Sequence, residues 1–541
     1  MRCELMSHRS IARFIGTAFV AMSALGSVND ARAQAFADAK SSLADYSKAE
    51  IAPGKSCDSL AGFRSDSIKE IRATVIGAQG AAPAHCRVTG MLDPEIAFEV
   101  SLPEKWNNRF YMIGNGGHAG ESLDDPFRAA QRNDALKAGF AFAQTNTGHD
   151  ARKEPGGTFV LSNPQKAIDY AYRAVHVTAT TAKAITARYY AKPVARSYWN
   201  SCSNGGRQGL IEAQRYPEDF DGVVANAPWV SQTGFTIGAI WNQQAVADTP
   251  ISSAKLELLA ANVMKKCDAV DGLKDGLIDD PRRCDFDASR DVPACPAGQS
   301  TAECLTAAEA AAINKVYGGP WASGKQIFPG FMPGSEAPAV PFFGGGPAIS
   351  AWLNLIVPTT TGQNSGDFNL AENTMRYLVF TPPKPDWDYR TFNFERDPAL
   401  LNEWAKKVNA DSTDLNRFQR RGGKVLMTYG WADQVLQPLM GVNYYEQVSA
   451  RYGARTQDFF RLFMVPGMTH CAGGHGTDQF DVVTAVVDWV EKGKAPEWIR
   501  ASRYVDRQVV RTRPLCPYPQ VARYSGKGSI DDAGSFSCAK P

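Results

Sequence analysis

The stretch from Tyr198 to Trp229, YWNSCSNGGRQGLIEAQRYPEDFDGVVANAPW, constrains this chain more than any other. Its short apolar run at 197–200 suits a buried strand. The turn Ser201-Cys202-Ser203-Asn204-Gly205-Gly206 follows, then a helical segment stopped by Pro217 and a second strand at 222–225. Strand, tight turn and helix are the setting of a nucleophile elbow. Such a turn tolerates little bulk, because the nucleophile's neighbours crowd the backbone. Ser203 then stands at the C-terminal edge of a sheet, with a helix N-terminus behind it to favour a developing oxyanion. In the pattern G-x-S-x-G, Gly205 fits and Ser201 stands where the first glycine is expected. Taking Ser201 as nucleophile would put Ser203 where the second glycine belongs, so Ser203 is the better choice. The pattern alone is equally compatible with a polar turn between strand and helix, and the decision rests on partners elsewhere.

A chain of 541 residues exceeds one ordinary domain, so a core with a sizeable insertion or a second domain is expected. Hydrophobic content of 44% and charged content of 21% describe a soluble globular protein. The net charge of +2 gives no reason to expect nucleic acid or an anionic membrane as partner. At the N-terminus, Arg2, Arg9 and Arg13 precede an apolar stretch at 15–28, and Ala31-Arg32-Ala33 offers an A-x-A cleavage site. Residues 1–33 therefore read as a signal peptide and the mature chain as exported, periplasmic or secreted. The apolar run is too short and too interrupted for a membrane anchor, and no other segment approaches a span. Of the eleven cysteines, Cys3 leaves with the signal peptide and ten remain. An even number in an exported protein implies disulfides. Local spacing pairs Cys57–Cys86, Cys267–Cys284, Cys295–Cys304 and Cys516–Cys538, which leaves Cys202 and Cys471.

Along the chain, 109–113 reads as a buried strand ending in Gly114-Asn115-Gly116-Gly117-His118-Ala119-Gly120. A glycine-rich loop can cradle a phosphate, but no helix with a P-loop lysine follows. An oxyanion loop, whose N–H groups must approach a substrate oxygen, is the preferred reading. Another strand at 140–145 precedes a long helix that Asn163-Pro164 starts. Ile168, Ala171, Val175, Ala182, Ile185 and Tyr189 give it one apolar face for docking on a sheet. Alternating strands and helices indicate a mainly parallel α/β sheet. From about 230 to 409 the pattern changes to short helical pieces rich in Gly and Pro. Regularity returns with a strand at 424–428 leading to Tyr429-Gly430-Trp431-Ala432-Asp433, and another at 459–465 leading to Pro466-Gly467-Met468-Thr469-His470-Cys471. The expected organisation is a split α/β core, 34–229 and 410–541, with a lid inserted at 230–409.

A serine nucleophile needs a general base, and the base needs an orienting carboxylate. On such a core the chain order is Ser, then Asp or Glu, then His. Of seven histidines only His470 and His475 lie beyond the insert, and His470 directly follows a strand. Asp433 also directly follows a strand and falls between Ser203 and His470. The expected triad is Ser203, Asp433 and His470. Cys202 precedes the nucleophile and Cys471 follows the base, so pairing them would clamp the two loops together. A thiol nucleophile at Cys202 is the rival reading, and an exported chain with a leftover partner at Cys471 argues against it.

Cys202-Ser203-x-Gly205-Gly206-Arg207, Gly430-Trp431-Ala432-Asp433, Pro466-Gly467-Met468-x-His470-Cys471 and Arg513-Pro514-Leu515-Cys516-Pro517-Tyr518-Pro519 together resemble the tannase and feruloyl esterase family of α/β-hydrolases. The resemblance runs over nearly all of the mature chain. It implies the Ser203–Asp433–His470 triad, the Cys202–Cys471 bridge, and an oxyanion hole built from the N–H groups of Asn204 and the Gly116-Gly117 loop. Ser201 and Tyr429, the latter where members often carry His, are departures that remove no catalytic group.

The run Cys267-Asp268-Ala269-Val270-Asp271-Gly272-Leu273-Lys274-Asp275-Gly276-Leu277 places three carboxylates in a glycine-turned loop. Such loops suit Ca²⁺, which takes 6–8 oxygen ligands, although the spacing is not that of an EF-hand and a solvated acidic turn reads equally well. The resemblance implies a structural Ca²⁺ site from Asp268, Asp271 and Asp275 with the carbonyls of Leu273 and Leu277. No cofactor is expected for the chemistry. The expected substrate is a small aromatic carboxylic ester, feruloyl- or galloyl-like, with mono(2-hydroxyethyl) terephthalate as the alternative. Trp321, Phe328, Phe331, Phe342, Phe343 and Trp352 offer rings either for stacking or for the insert's own core. A terephthalate carboxylate calls for an arginine, with Arg376 and Arg390 the candidates. A non-hydrolytic binding protein on this fold would not need a full triad, whereas an acyltransferase would use the same groups.

Overall fold

The computed structural model describes residues 35–336 and 351–541. The expected signal peptide and two of the insert's aromatics, Phe342 and Phe343, lie outside them. Among the described residues the main sheet has nine strands: β1 (Ile68–Ile76), β2 (His85–Leu92), β3 (Ile96–Pro103), β4 (Arg109–Met112), β5 (Ala141–Thr145), β6 (Arg196–Cys202), β7 (Gly222–Asn226), β8 (Lys424–Gly430) and β9 (Phe460–Val465). Their spatial order is β1-β2-β3-β5-β4-β6-β7-β8-β9. β1, β2, β3 and β5 pair antiparallel, and every pairing from β5 through β4 to β9 is parallel.

The parallel strands are buried on both faces, which is why they read as continuous apolar runs. Phe110, Met112, Trp199, Val425 and Met427 enter the core on one face. Their sequence neighbours Tyr111, Tyr198 and Leu426 enter the core on the other. Five helices cover the sheet: α1 (Pro126–Lys137), α2 (Ala174–Tyr190), α3 (Asn204–Arg215), α4 (Pro438–Tyr452) and α5 (Val482–Lys492). Val482, Val483, Val486 and Val487 of α5 close the second core. The helix expected to start at Asn163-Pro164 is not continuous. A short piece, Gln165–Ile168, passes through a π-helical turn, Asp169–Arg173, before α2 begins. Such wide turns often mark functional positions.

Between β7 and β8 the chain leaves the sheet and builds helices Gln232–Val246, Ser253–Cys267, Ala307–Gly318 and Gly366–Asn373. This insert has its own core, with Val246, Leu256, Leu259, Ile313, Phe331 and Trp352 packed together. Among the described residues five disulfides are present: Cys57–Cys86, Cys202–Cys471, Cys267–Cys284, Cys295–Cys304 and Cys516–Cys538. Among the described residues no helix is long and apolar enough to cross a membrane.

Candidate active site

Ser203 ends the turn between β6 and α3 with φ 62° and ψ −128°. For a residue with a Cβ this backbone costs about 1–3 kcal/mol, and the surroundings hold it. The Ser203 N–H donates to the Asn226 carbonyl at 3.0 Å, and its carbonyl accepts from Arg207 and Trp229, each at 3.0 Å. Gly205 is required by packing, since a Cβ there would lie 2.0 Å from Ser201 Oγ. Ser201 thus fills space that a glycine at its own position would leave open.

Asp433 and His470 stand on the loops after β8 and β9, and these loops are laced together. The Ala432 N–H donates to the Met468 carbonyl at 3.1 Å, and the His470 N–H to Gln434 Oε1 at 3.0 Å. A Cβ on Gly430 would meet the Met468 carbonyl oxygen at 2.1 Å, so only glycine lets the loops approach this closely. His470 Nδ1 lies 2.8 Å from Asp433 Oδ2, and a carboxylate acceptor makes Nδ1 the donor. Asp433 is fully buried, and its Oδ1 accepts from the N–H groups of Val435 and Leu436 at 2.9 and 2.8 Å. That leaves Nε2 of His470 as the ring's acceptor. The Cys202–Cys471 bridge, with its Cα atoms 5.8 Å apart, joins the residue before Ser203 to the residue after His470. A ring nitrogen of His470 and both sulfurs lie within 4.8 Å of one another. With its sulfurs bonded to each other, this group is not a metal site.

The loop after β4 carries the expected oxyanion donors, and the structure separates them. The Gly116 N–H donates to Glu121 Oε1 at 2.5 Å, so it is already committed. Asn115 Nδ2 donates to the other oxygen of Glu121 at 2.7 Å, which pins the loop. The Gly116 carbonyl accepts from the Ala119 N–H at 2.8 Å, which turns the Gly117 N–H of the same peptide the opposite way. The N–H groups of Gly117 and Asn204 have no partner among the described residues. Of the three expected donors, two are therefore available, and Gly116 serves to hold the loop. Nothing in the sequence signals the Glu121 contact, which depends on how the loop folds back.

Helix Gly366–Asn373 of the insert lies over this loop: Leu370 Cδ2 is 3.8 Å from where a Gly117 Cβ would be. One turn earlier Asp367 is 2% exposed, and neither carboxylate oxygen has a partner among the described residues. Burial, and then the charge of Asp433, pushes its carboxyl well above the usual range, so it adds no charge beside Asp433. Thr374 Oγ1 meets His118 Nε2 at 3.0 Å, and burial lowers His118 to about 3, keeping the ring neutral. Of the two roles left open for the insert's aromatics, the structure places some in a core. Phe331 and Trp352 belong to the insert's core, Phe328 packs on Gly234 and Gly238, and Trp321 is exposed on a two-residue strand. Tyr429 is a core residue whose hydroxyl donates to the Pro228 carbonyl at 3.1 Å.

In the acidic loop the carboxylates take partners from the protein itself. Asp268 Oδ1 accepts from the N–H groups of Asp275 and Gly276 at 3.1 and 2.9 Å, and so holds the loop's own backbone. Asp275 turns onto Arg513, 2.5 Å from Nη2. Asp279, absent from the expected set, joins Asp271 and Asp275; burial and their charges push it up to about 7. The described residues hold one other triad of ligand-type atoms within 4.8 Å, His176, Glu212 and Asp219, far from the loop in sequence.

A parallel sheet with a strained serine after β6, an acid after β8 and a histidine after β9 defines an α/β-hydrolase. The family model described as tannase and feruloyl esterase matches residues 75–539. An esterase from Xanthomonas campestris is 36% identical over 85% of each chain. The mono(2-hydroxyethyl) terephthalate hydrolase of Piscinibacter sakaiensis is 32% identical over 91% of this chain and 92% of its own. The crystal structure of feruloyl esterase B from Aspergillus oryzae superposes with a TM-score of 0.76 at 27% identity, covering 90% of this chain and 100% of that one. The chain belongs to the tannase and feruloyl esterase family, and it is a carboxylic ester hydrolase.

Proposed function

We propose that the protein is an exported serine esterase that hydrolyses esters of aromatic, phenolic acids through an acyl-Ser203 intermediate. The observation that carries this reading is the His470–Asp433 pair, 2.8 Å apart, with the His470 loop bridged to the Ser203 turn by Cys202–Cys471. Ser203 Oγ attacks the ester carbonyl while His470 Nε2 takes its proton. Asp433 fixes the tautomer and stabilises the imidazolium. The N–H groups of Asn204 and Gly117 receive the oxyanion. His470 then protonates the leaving alcohol, and water repeats the sequence to release the acid. Ser203→Ala should lower kcat by several orders of magnitude, and a phosphonate ester should label Ser203 in the parent protein only. Near-normal turnover by the pure variant would sink the reading.

For the acyl group, support for a phenolic acid comes from relatives named feruloyl esterase and from the two arginines considered for a terephthalate carboxylate. Arg376 is paired with Glu372 at 2.8 Å, and Arg390 lies out in solvent beside Asp388. The relative named for mono(2-hydroxyethyl) terephthalate keeps that ester as the second reading. A panel of methyl ferulate, methyl gallate and mono(2-hydroxyethyl) terephthalate separates the two. Adding an alcohol acceptor to the ferulate reaction separates hydrolysis from acyl transfer. Export is supported by the five disulfides.

The acidic loop fits a structural calcium ion. Crowding of Asp271, Asp275 and Asp279 leaves carboxylate charge that a hard, oxygen-seeking cation would balance. Asp268, Asp271 and Asp275 with the Leu273 and Leu277 carbonyls would hold it, with Asp279 hydrogen-bonded to Asp271. The ion would stiffen the insert and take no part in the chemistry.

A further inference from the structure

Arg207 is fully buried, yet it has no carboxylate partner among the described residues. Its Nε donates to Asn204 Oδ1 at 2.7 Å. Its Nη1 donates to the Ala171 and Val408 carbonyls at 2.7 and 3.0 Å, and Nη2 to the Tyr170 carbonyl at 3.2 Å. The guanidinium lies over the Tyr170 ring, 5.1 Å from its centroid. Every acceptor is neutral, so the charge is solvated by dipoles and left uncompensated. A buried cation in this state is costly and ordinarily finds an acid.

Tyr170 sits in the π-helical turn ahead of α2, and its hydroxyl touches both halves of the oxyanion hole. It lies 3.0 Å from the Gly117 carbonyl and 3.3 Å from Asn204 Oδ1. The hydroxyl itself accepts from Gln232 Nε2 at 2.8 Å, and Gln232 Oε1 accepts from Trp404 Nε1 at 2.8 Å. The hydroxyl is therefore held by a side chain of the insert, and in turn orients residues of two core loops. With Oδ1 facing two donors, the Asn204 side chain has one orientation, which fixes the residue whose N–H follows the nucleophile.

We propose that Tyr170 and Arg207 are positioning residues for the oxyanion hole. Tyr170 sets the relative placement of Gly117 and Asn204, and Arg207, its charge uncompensated, holds the Asn204 side chain. The inference rests on the acyl-Ser203 reading above. In the ground state the ester carbonyl is neutral and the buried charge has no counter-ion. In the tetrahedral state the oxyanion supplies one. An interaction that strengthens only as charge develops lowers the barrier without tightening substrate binding.

The test uses the full-length protein with methyl ferulate. Tyr170→Phe should lower kcat by about 10- to 100-fold, below the loss for deleting a direct oxyanion donor, with KM within about twofold and the fold retained at the assay temperature. Affinity for an arylboronic acid, whose adduct on Ser203 carries the negative charge, should fall by the same factor. Affinity for the neutral ferulamide should hold. Arg207→Gln should show the same pattern more strongly, and Arg207→Lys should recover part of it. If Arg207→Gln fails to fold, the Tyr170→Phe boronate measurement decides alone. Unchanged kcat and boronate affinity in Tyr170→Phe overturn the proposal. So does an equal loss of boronate and ferulamide affinity, which marks a merely structural role. Ser203→Ala separates the two levels: activity surviving there removes the acyl-serine reading itself, whereas an inactive Ser203→Ala beside a normal Tyr170→Phe removes only this inference.

Discussion

The elbow turns on contacts of a single atom. Ser201 Oγ occupies the place a Cβ at position 205 would need, 2.0 Å away. Gly205→Ala should therefore destabilise the fold by roughly 1–3 kcal/mol, the usual cost of overpacking, and displace Ser203. Ser201→Gly should restore much of that loss, because it removes the clashing hydroxymethyl group. A double-mutant cycle in urea, read alongside turnover, measures the coupling; additive losses would show that the clash is relieved elsewhere. At this scale the sequence was legible where a residue's place follows from its distance to a strand end. Ser203, Asp433 and His470 stand after strands as read, and Cys202 and Cys471 are bonded to each other. Glu121 and Asp279 were not legible, because their partners are chosen by loop conformation. Arg513 meets Asp275 across 238 positions, a separation on which no local pattern bears.

Elements meet through polar pairs as well as apolar faces. α2, α3 and the loop before β7 join where His176 Nδ1 bonds Asp219 Oδ2 at 2.5 Å and Lys183 Nζ bonds the Asp219 carbonyl at 2.8 Å. Glu212, buried on α3, faces this carboxylate with no donor of its own. Burial and the Asp219 charge raise Glu212 well above the usual range, so it carries a proton in the folded protein. An acid raised on folding binds its proton more tightly in the native state than in the unfolded chain. Its stabilising contribution is complete below the ordinary range, near 4.3, and is lost progressively as pH rises above it. Glu212→Gln keeps a donor toward Asp219 at every pH. Its melting temperature should match the parent's below about pH 4 and exceed it increasingly toward pH 8; parallel curves would remove the shared proton. The acidic loop makes the complementary case for the insert. If it binds calcium, EDTA should lower the melting temperature and added Ca²⁺ restore it, by the equivalent of about 2.7 kcal/mol at a hundredfold excess over Kd. Asp271→Asn should blunt both effects, and insensitivity of the parent to EDTA would count against the ion. The strands β4 to β9 were readable from apolar runs, whereas the largely exposed β1 has none. The insert's aromatics were not, because a ring in a core and a ring lining a pocket have the same sequence signature.

Across the whole molecule, the insert lengthens the path between Ser203 and His470, and one covalent bond shortens it again. Cys202 and Cys471 are 269 positions apart in sequence and 5.8 Å apart at Cα. Without the bridge, the insert and the β8 and β9 loops would all have to be ordered before Ser203 meets His470. A disulfide restricts the unfolded chain and typically contributes ~2–4 kcal/mol, with long loops toward the upper end. On the proposed mechanism the bridge would also act locally, since proton transfer requires Ser203 Oγ and His470 Nε2 within about 2.6–3.2 Å and each cysteine abuts one partner. Replacing both cysteines by Ala tests the two roles together. The melting temperature should fall, and kcat measured well below it should fall too, with the response to a serine-directed phosphonate slowed but still located at Ser203. A variant that melts early yet keeps full kcat would confine the bridge to global stability. Labelling that moved away from Ser203, or loss of chemistry traced to a missing thiolate at Cys202, would instead return the cysteine nucleophile.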